Sequence, residues 1–316
     1  MPNGSRVVSV GHYQPEKVLT NAELCEMVET TDEWITSRVG IKERRIAEKD
    51  EKVADLAFKA GQQALANSGL SASDIDMVLV GTTSAMDRTP NTACQVAARL
   101  GIETGSPAMD VNTACSGFGY AVGMADQFLK GGTAKRALVI GAEKLTQFTD
   151  WSDRSTCVLF GDGAGAVIME ATDETEQVTG PVVWGSVPAM ADVIRITEDI
   201  PFIKQEGQSV YRWTVTSLPP LIRQTINDAG LEPASIKAFV LHQANLRIIE
   251  GISKRLGFDD AIIADDIIYS GNTSTASIPL ALSKLVQEGK VQSGDPIVLF
   301  GFGGGLTYAG QVIYCP

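Results

Sequence analysis

The sequence predicts an α/β fold built as two similar halves, and three observations carry that reading. Short apolar runs such as Asp76-Met77-Val78-Leu79-Val80-Gly81 read as buried strands of the kind parallel sheets use. They alternate with longer helical patterns, which indicates a mostly parallel sheet. The order of the first half then returns in the second. The strand 76–80 matches 237–241 at a shift of 161, the helix 115–131 matches 273–289 at 158, and the strand 136–141 matches 296–301 at 160. Such nearly equal shifts mark a duplication, with the halves taken as 1–172 and 173–316.

Along the chain, Val7-Val8-Ser9-Val10 is a first strand, and residues 20–24 are a helix start with a Thr or Asn cap. In the segment 31–41, Trp34 and Arg38 stand four apart and share a face if the segment is helical. Helices follow over 53–68, closed by Gly69, and over 93–100. After the apolar Pro107-Ala108-Met109, the stretch 110–120 breaks at Asn112 and Thr113. A helix then runs to Gly131, with Tyr120, Met124, Phe128 and Leu129 spaced for one buried face. Residues 136–141 are another buried strand, and 161–169 join a tight turn to a strand. The middle, about 170–208, is less regular. Beyond it come helices over 214–229, 246–256 and 274–288, and strands over 236–241 and 296–300, the last leading into Gly301-Phe302-Gly303-Gly304-Gly305.

Bulk properties limit the function classes. The net charge of −12 and pI near 4.7 argue against non-specific nucleic-acid binding, which needs a basic surface. No apolar run reaches the roughly 20 residues of a membrane span, and the N-terminal residues lack the apolar core of a signal peptide. Five cysteines at 25, 94, 115, 157 and 315 show no CxxC spacing, which argues against a disulfide framework or zinc site and suits a reducing cytoplasm. Two histidines give no His-rich metal site.

The chemistry centres on Asp110-Val111-Asn112-Thr113-Ala114-Cys115-Ser116-Gly117-Phe118-Gly119-Tyr120. Cys115 falls at or just before a helix N-terminus, among small neighbours that leave room at its sulfur. Free N–H groups and the macrodipole at such an end favour the thiolate. A lone cysteine is also an ordinary core residue, so the rest of the chain decides. The duplication places His242-Gln243-Ala244-Asn245, Ser270-Gly271-Asn272-Thr273-Ser274 and the 301–305 glycine run at strand ends equivalent to that of Cys115. Ligands of parallel sheets bind beyond those ends.

Five motifs, in order, then identify a family. They are Asn112-Thr113-Ala114-Cys115-Ser116-Gly117, Phe160-Gly161-Asp162-Gly163-Ala164-Gly165, His242-Gln243-Ala244-Asn245-Leu246-Arg247, Gly271-Asn272-Thr273-Ser274 and Gly301-Phe302-Gly303-Gly304-Gly305. Over nearly its whole length the chain resembles the β-ketoacyl-[acyl-carrier-protein] synthase III family, the condensing enzymes that start bacterial fatty acid synthesis. The resemblance implies a thiolase-like fold, two duplicated halves in an αβαβα stack, usually as a homodimer. It implies Cys115 as the nucleophile that takes an acyl group from acyl-CoA. His242 and Asn272 would stabilise the enolate formed when malonyl carrier protein loses CO₂, and the backbone N–H groups of Cys115 and Gly304 would form the oxyanion hole. No cofactor beyond these substrates is implied, and no metal.

The same resemblance implies that Trp34 and Arg154 sandwich the CoA adenine and that Asn245 contacts the pantetheine. Arg212, Arg247, Lys254 and Arg255 match the family's basic rim for the acyl carrier protein. On the helix 246–256, Arg247, Lys254 and Arg255 are spaced by seven and eight and share a face, an informative cluster on an acidic chain. Thr89 stands where acetyl-specific members carry Phe, on a loop that in the family closes the partner's acyl pocket.

Rival readings fit less well. A papain-like protease shares the Cys, His, Asn order, but its Cys-Gly-Ser-Cys-Trp signature and paired cysteines are absent. Plant-type polyketide synthases and hydroxymethylglutaryl-CoA synthases are longer chains. Relatives that acylate an alcohol or amine tend to alter the His/Asn pair, intact here, which leaves a pathway-specific starter synthase as the alternative. An intact triad argues against a non-catalytic scaffold.

Overall fold

The computed structural model describes residues 1–257 and 260–316. The chain opens with β1 (Gly4–Tyr13). A small ribbon of β2 (Val18–Thr20) and β3 (Glu43–Arg45) encloses α1 (Asn21–Met27) and α2 (Asp32–Val39). Thr20 caps α1 and forms a capping box with Glu23, while Thr31 caps α2. The first half continues through α3 (Val53–Ser68), β4 (Met77–Gly81), α4 (Thr92–Leu100), β5 (Ala108–Val111), α5 (Gly117–Lys130), β6 (Arg136–Lys144) and β7 (Asp162–Thr172). α3 stops where expected because Gly69 takes the left-handed conformation there.

The second half runs through β8 (Val183–Ser186), the short pair β9 (Ile194–Arg195) and β10 (Lys204–Gln205), and α6 (Gly207–Asp228). It ends with β11 (Ala238–Leu241), α7 (Leu246–Leu256), β12 (Ile262–Ile263), α8 (Ile267–Ser270), α9 (Ser277–Gln287), β13 (Pro296–Gly303) and β14 (Thr307–Tyr314).

Two five-stranded sheets have the orders β1-β7-β6-β4-β5 and β8-β14-β13-β11-β12, which correspond strand for strand. This is the duplication in three dimensions. Helices α5 and α9 lie between the sheets, α3 and α4 cover the outer face of the first, and α6 and α7 cover the second. The result is the αβαβα stack of the thiolase-like fold. Among the described residues, no helix is long and apolar enough to cross a membrane.

Three details differ from the sequence reading. Each sheet is mixed, not mostly parallel: β5, β4 and β6 run parallel, as do β12, β11 and β13, while β7, β1, β14 and β8 add on antiparallel. The reason is connection length. Gly304 to Leu306 alone join β13 to β14, and so short a link permits only a hairpin. The deepest face of α5 is Phe118, Ala121, Val122, Ala125 and Leu129, whereas Tyr120, Met124 and Phe128 are half-buried at its border. Finally, the helices are equivalent at a shift of 160, because the turns before them, Ala114–Ser116 and Ser274–Ala276, match at that spacing. Their closing glycines lie closer together because α9 is shorter than α5.

Candidate active site

The site forms where the two halves present their equivalent turns to each other. In the first half the chain leaves β5 and passes through Ala114, whose φ is +48°, into the turn that carries Cys115. Ser274, with φ +49°, occupies the same place in the second half. A left-handed residue other than glycine costs about 1 kcal/mol or more, and such strain gathers at functional turns. The first turn is held by the Ser116 hydroxyl, which donates to Thr113 O at 2.8 Å and lies 2.8 Å from Thr307 Oγ1. Gly303 supplies the space: a Cβ there would stand 2.6 Å from Cys115 Cβ and 2.9 Å from its sulfur.

Cys115 is not a resting thiolate. Burial pushes its thiol up to about 11, and the nearby Glu143 carboxylate adds to the rise. A hydrogen bond with the Ser274 side chain, and others from the N–H groups of Gly304 and Cys115 itself, offset only part of this. The sequence reading weighed the helix end and its N–H groups, but loss of solvent outweighs them.

His242 is 2% exposed at the end of β11, and its ring meets Phe302 edge-on with centroids 5.2 Å apart. Its Nδ1 lies 2.7 Å from Ser277 Oγ. That hydroxyl also accepts from Gln243 N–H at 3.2 Å; where it gives its own hydrogen to Nδ1, the ring proton lies on Nε2. Burial holds the imidazole down to about 3, so it is neutral throughout the physiological range. Asn272 is pinned by its backbone to Leu159 and Gly161, and its Oδ1 accepts Ser274 N–H at 2.8 Å. Its Nδ2 spends one hydrogen on Ala244 O at 3.3 Å and keeps the other for a ligand.

These groups line one cavity of about 480 Å³, with Cys115, His242, Asn272, Phe302 and Gly304 together on its wall. Ile194, Ile203, Val210 and Ile248 make most of the remainder apolar, and Asn245 also lines it. Asn245 caps α7, accepting Arg247 N–H at 2.9 Å, and donates to Arg38 O at 3.3 Å. This bond ties the cavity to α2 and therefore to Trp34. The Arg154 guanidinium lies 4.8 Å from the Trp34 ring centre and donates to Glu29 O at 3.0 Å. That spacing is a direct cation–π contact, so an adenine could enter between the two only if Arg154 moved. Arg212, Arg247, Lys254 and Arg255 are exposed on α6 and α7, and Arg247 lies 6.0 Å from the Tyr211 ring, itself at the cavity. Thr89 is exposed and does not line this cavity.

Known proteins share this sequence and fold. Residues 109–188 match the family profile described as 3-Oxoacyl-[acyl-carrier-protein (ACP)] synthase III, and residues 226–315 match its C-terminal counterpart. The chain is 55% identical to Beta-ketoacyl-[acyl-carrier-protein] synthase III 4 of Streptomyces coelicolor, over 100% of both chains. The chain belongs to the β-ketoacyl-[acyl-carrier-protein] synthase III family. Its relatives include the mycobacterial synthase III of Mycobacterium avium, 44% identical over 100% of this chain and 97% of that one. The priming β-ketosynthase of the R1128 polyketide pathway superimposes with a TM-score of 0.96 at 37% identity, covering 100% of this chain and 97% of its own. The synthase III of Aquifex aeolicus does so with a TM-score of 0.93 at 39% identity, over 99% and 100%. The protein is thus an acyltransferase-type condensing enzyme.

Several residues that shape the site escaped the sequence reading. Ser277 holds the His242 ring through Nδ1 from the first turn of α9, and nothing in a serine inside an apolar helix announces that role. Gln243 holds the loop after β11, donating to Leu241 O and Ala264 O and accepting from Ile267 N–H. Glu143 lies fully buried at the end of β6. A polar residue at the carboxyl end of an apolar parallel strand was a legible signal for it.

Proposed function

We propose that this synthase transfers an acyl group from acyl-CoA to Cys115 and condenses it with malonyl carrier protein to give a 3-oxoacyl carrier protein. The observation that carries this reading is the convergence of a thiol, two neutral hydrogen-bond donors and backbone N–H groups on one largely apolar cavity. In the first half-reaction the Cys115 sulfur attacks the thioester carbonyl and CoA leaves as its thiolate. In the second, malonyl carrier protein loses CO₂, and the resulting enolate oxygen takes hydrogen bonds from His242 Nε2–H and Asn272 Nδ2–H. The enolate carbon attacks the acyl-Cys carbonyl, whose oxyanion is held by the N–H groups of Cys115 and Gly304. Cys115 then departs as the leaving group. One such donor contributes roughly 3–4 kcal/mol to the transition state, because it is preorganised away from water.

A neutral His242 suits this role: a donor that cannot be ionised at neutral pH stabilises the enolate without protonating it. Asn245, Trp34 and Arg154 would receive the pantetheine and adenine, with Arg154 turning aside from Trp34. Arg212, Arg247, Lys254 and Arg255 would dock the acidic carrier protein. No cofactor is required, since the thioesters supply the leaving groups and decarboxylation supplies the carbanion. We also propose a homodimer, in which the exposed Thr89 loop of one copy closes the acyl pocket of the other.

The test is reconstitution with malonyl carrier protein and a series of acyl-CoAs, reading CO₂ release and the 3-oxoacyl product. Thr is smaller than Phe by most of a ring, and each buried methylene contributes about 0.8 kcal/mol. Branched or medium-length acyl groups are therefore expected to be used at least as well as acetyl, with Thr89→Phe shifting preference back to acetyl. Use of acetyl-CoA alone would contradict the pocket assignment, and no 3-oxoacyl product with any acyl-CoA would contradict the function.

A further inference from the structure

The duplication supplies an internal control for the turn that carries Asn272. At the shift of 160 that relates the two turns, Asn112 is the counterpart of Asn272 and Ala114 that of Ser274. The strand ends follow the same shift, since a Cβ at Gly141 would meet Thr275 and Ala276, and one at Gly301 would meet Cys115 and Ser116. Both turns bring the N–H of a left-handed residue back toward an asparagine carboxamide. In the second half Ser274 N–H donates to Asn272 Oδ1 at 2.8 Å, whereas in the first the Ala114 nitrogen stands 3.4 Å from Asn112 Oδ1. Asn272 is buried, and Asn112 is exposed.

What differs between the turns is a side chain that reaches across from the other half. Ser274 has a hydroxyl, which donates to Glu143 Oε1 at 3.1 Å. Ala114 has none, and the counterpart of Glu143 at the same shift is Gly303, which has no side chain and leaves room for Cys115. One position of the duplicated sheet thus clears space for the nucleophile in one half and braces the opposing turn in the other. We infer that Glu143 is a positioning residue: through Ser274 it aims the Asn272 carboxamide, and with it the free Nδ2–H, at the enolate.

Glu143 is itself held firmly enough to act as a brace. It is fully buried, and the segment after β4 grips it through the Ser84 hydroxyl, Thr83 N–H at 3.2 Å and Thr82 Oγ1 at 3.4 Å. Oε1 serves Ser274 while Oε2 serves Ser84 and Thr82, so both oxygens accept at once. At the other end of the link, backbone bonds to Leu159 and Gly161 fix where Asn272 stands but not how its carboxamide is turned. That is decided by Ser274 N–H at Oδ1 and Ala244 O at Nδ2, a backbone donor and a backbone acceptor whose roles cannot be exchanged. A loosened Ser274 would weaken the first of these bonds. The Cys115 turn is held separately, by Ser116 with Thr113 and Thr307.

This inference rests on the proposed role of Asn272 at the enolate. The test measures both half-reactions, acyl-Cys115 formation from acyl-CoA and CO₂ release from malonyl carrier protein, in Glu143→Gln, Asn272→Ala and the double variant. An amide accepts on one oxygen only, so Glu143→Gln should lower decarboxylation by about 10-fold or more while acylation stays near the native rate. In the double variant Glu143→Gln should cost nothing beyond Asn272→Ala, because no carboxamide is left to aim. If Glu143→Gln does not fold, Ser274→Ala severs the same link and is read by the same comparison, since Ala114 shows that alanine adopts this left-handed turn. Unchanged decarboxylation in Glu143→Gln, equal losses in both half-reactions, or losses that multiply in the double variant overturn the inference. Unchanged decarboxylation in Asn272→Ala overturns the role of Asn272 itself.

Discussion

His242 and Asn272 line the same cavity as Cys115, and the proposed mechanism divides the work between one nucleophile and two hydrogen-bond donors. The two donors should matter for enolate formation far more than for acyl transfer. His242→Ala and Asn272→Ala are expected to form acyl-Cys115 while malonyl decarboxylation falls by ~100-fold or more. Stopped measurements of each half-reaction check this, and an equal loss in both would mean that the roles are misassigned. At this scale the sequence was informative for residues whose motifs are short and contiguous, Cys115, His242 and Asn272 among them. It was silent on Ser277, whose role exists only because α9 brings it to 2.7 Å from a ring 35 residues earlier. The burial that raises the Cys115 thiol against those N–H groups was not legible either, because it depends on what the other half of the chain places over the sulfur.

Among the elements, α7 joins the cavity to the surface. Its inner face buries Ile248, Ile249, Ile252 and Leu256, while Arg247, Lys254 and Arg255 stay exposed, as their spacing implied. On a chain of net charge −12, an exposed basic face next to a cavity concentrates positive potential where an acidic partner would approach. Arg247→Glu should therefore raise the KM for malonyl carrier protein more than that for acyl-CoA, and most at low salt, where exposed charges are least screened. Steady-state titration of both substrates at two ionic strengths measures it, and an unchanged carrier-protein KM would place docking elsewhere. Long helices were the easiest elements to read, α3 and α7 residue for residue, since each ends on a left-handed glycine. Strands β8 and β14 were missed because they pair antiparallel to close a sheet whose apolar pattern was already accounted for. α6 begins before the expected helix because its first turn starts in a segment without strong periodicity.

At the scale of the whole molecule, the duplication explains why the site exists at all. Two copies of one turn, each with a left-handed residue at the same position, meet at the cavity, and one carries Cys115 while the other carries Ser274 just after Asn272. The shift between halves was legible in the sequence because buried strands tolerate few residue types. The mixed direction of the strands was not, since that is set by connections such as Gly304 to Leu306 and leaves no mark on strand composition. The claim on which everything else depends is that this paired architecture makes Cys115 the carrier of the acyl group. Intact-protein and peptide mass spectrometry after incubation with a mixed acyl-CoA pool tests it directly. One acyl group per chain is expected on Cys115, none in Cys115→Ala, and its loss as 3-oxoacyl carrier protein when malonyl carrier protein is added. Retained labelling of Cys115→Ala, or an adduct that malonyl carrier protein cannot discharge, would contradict it.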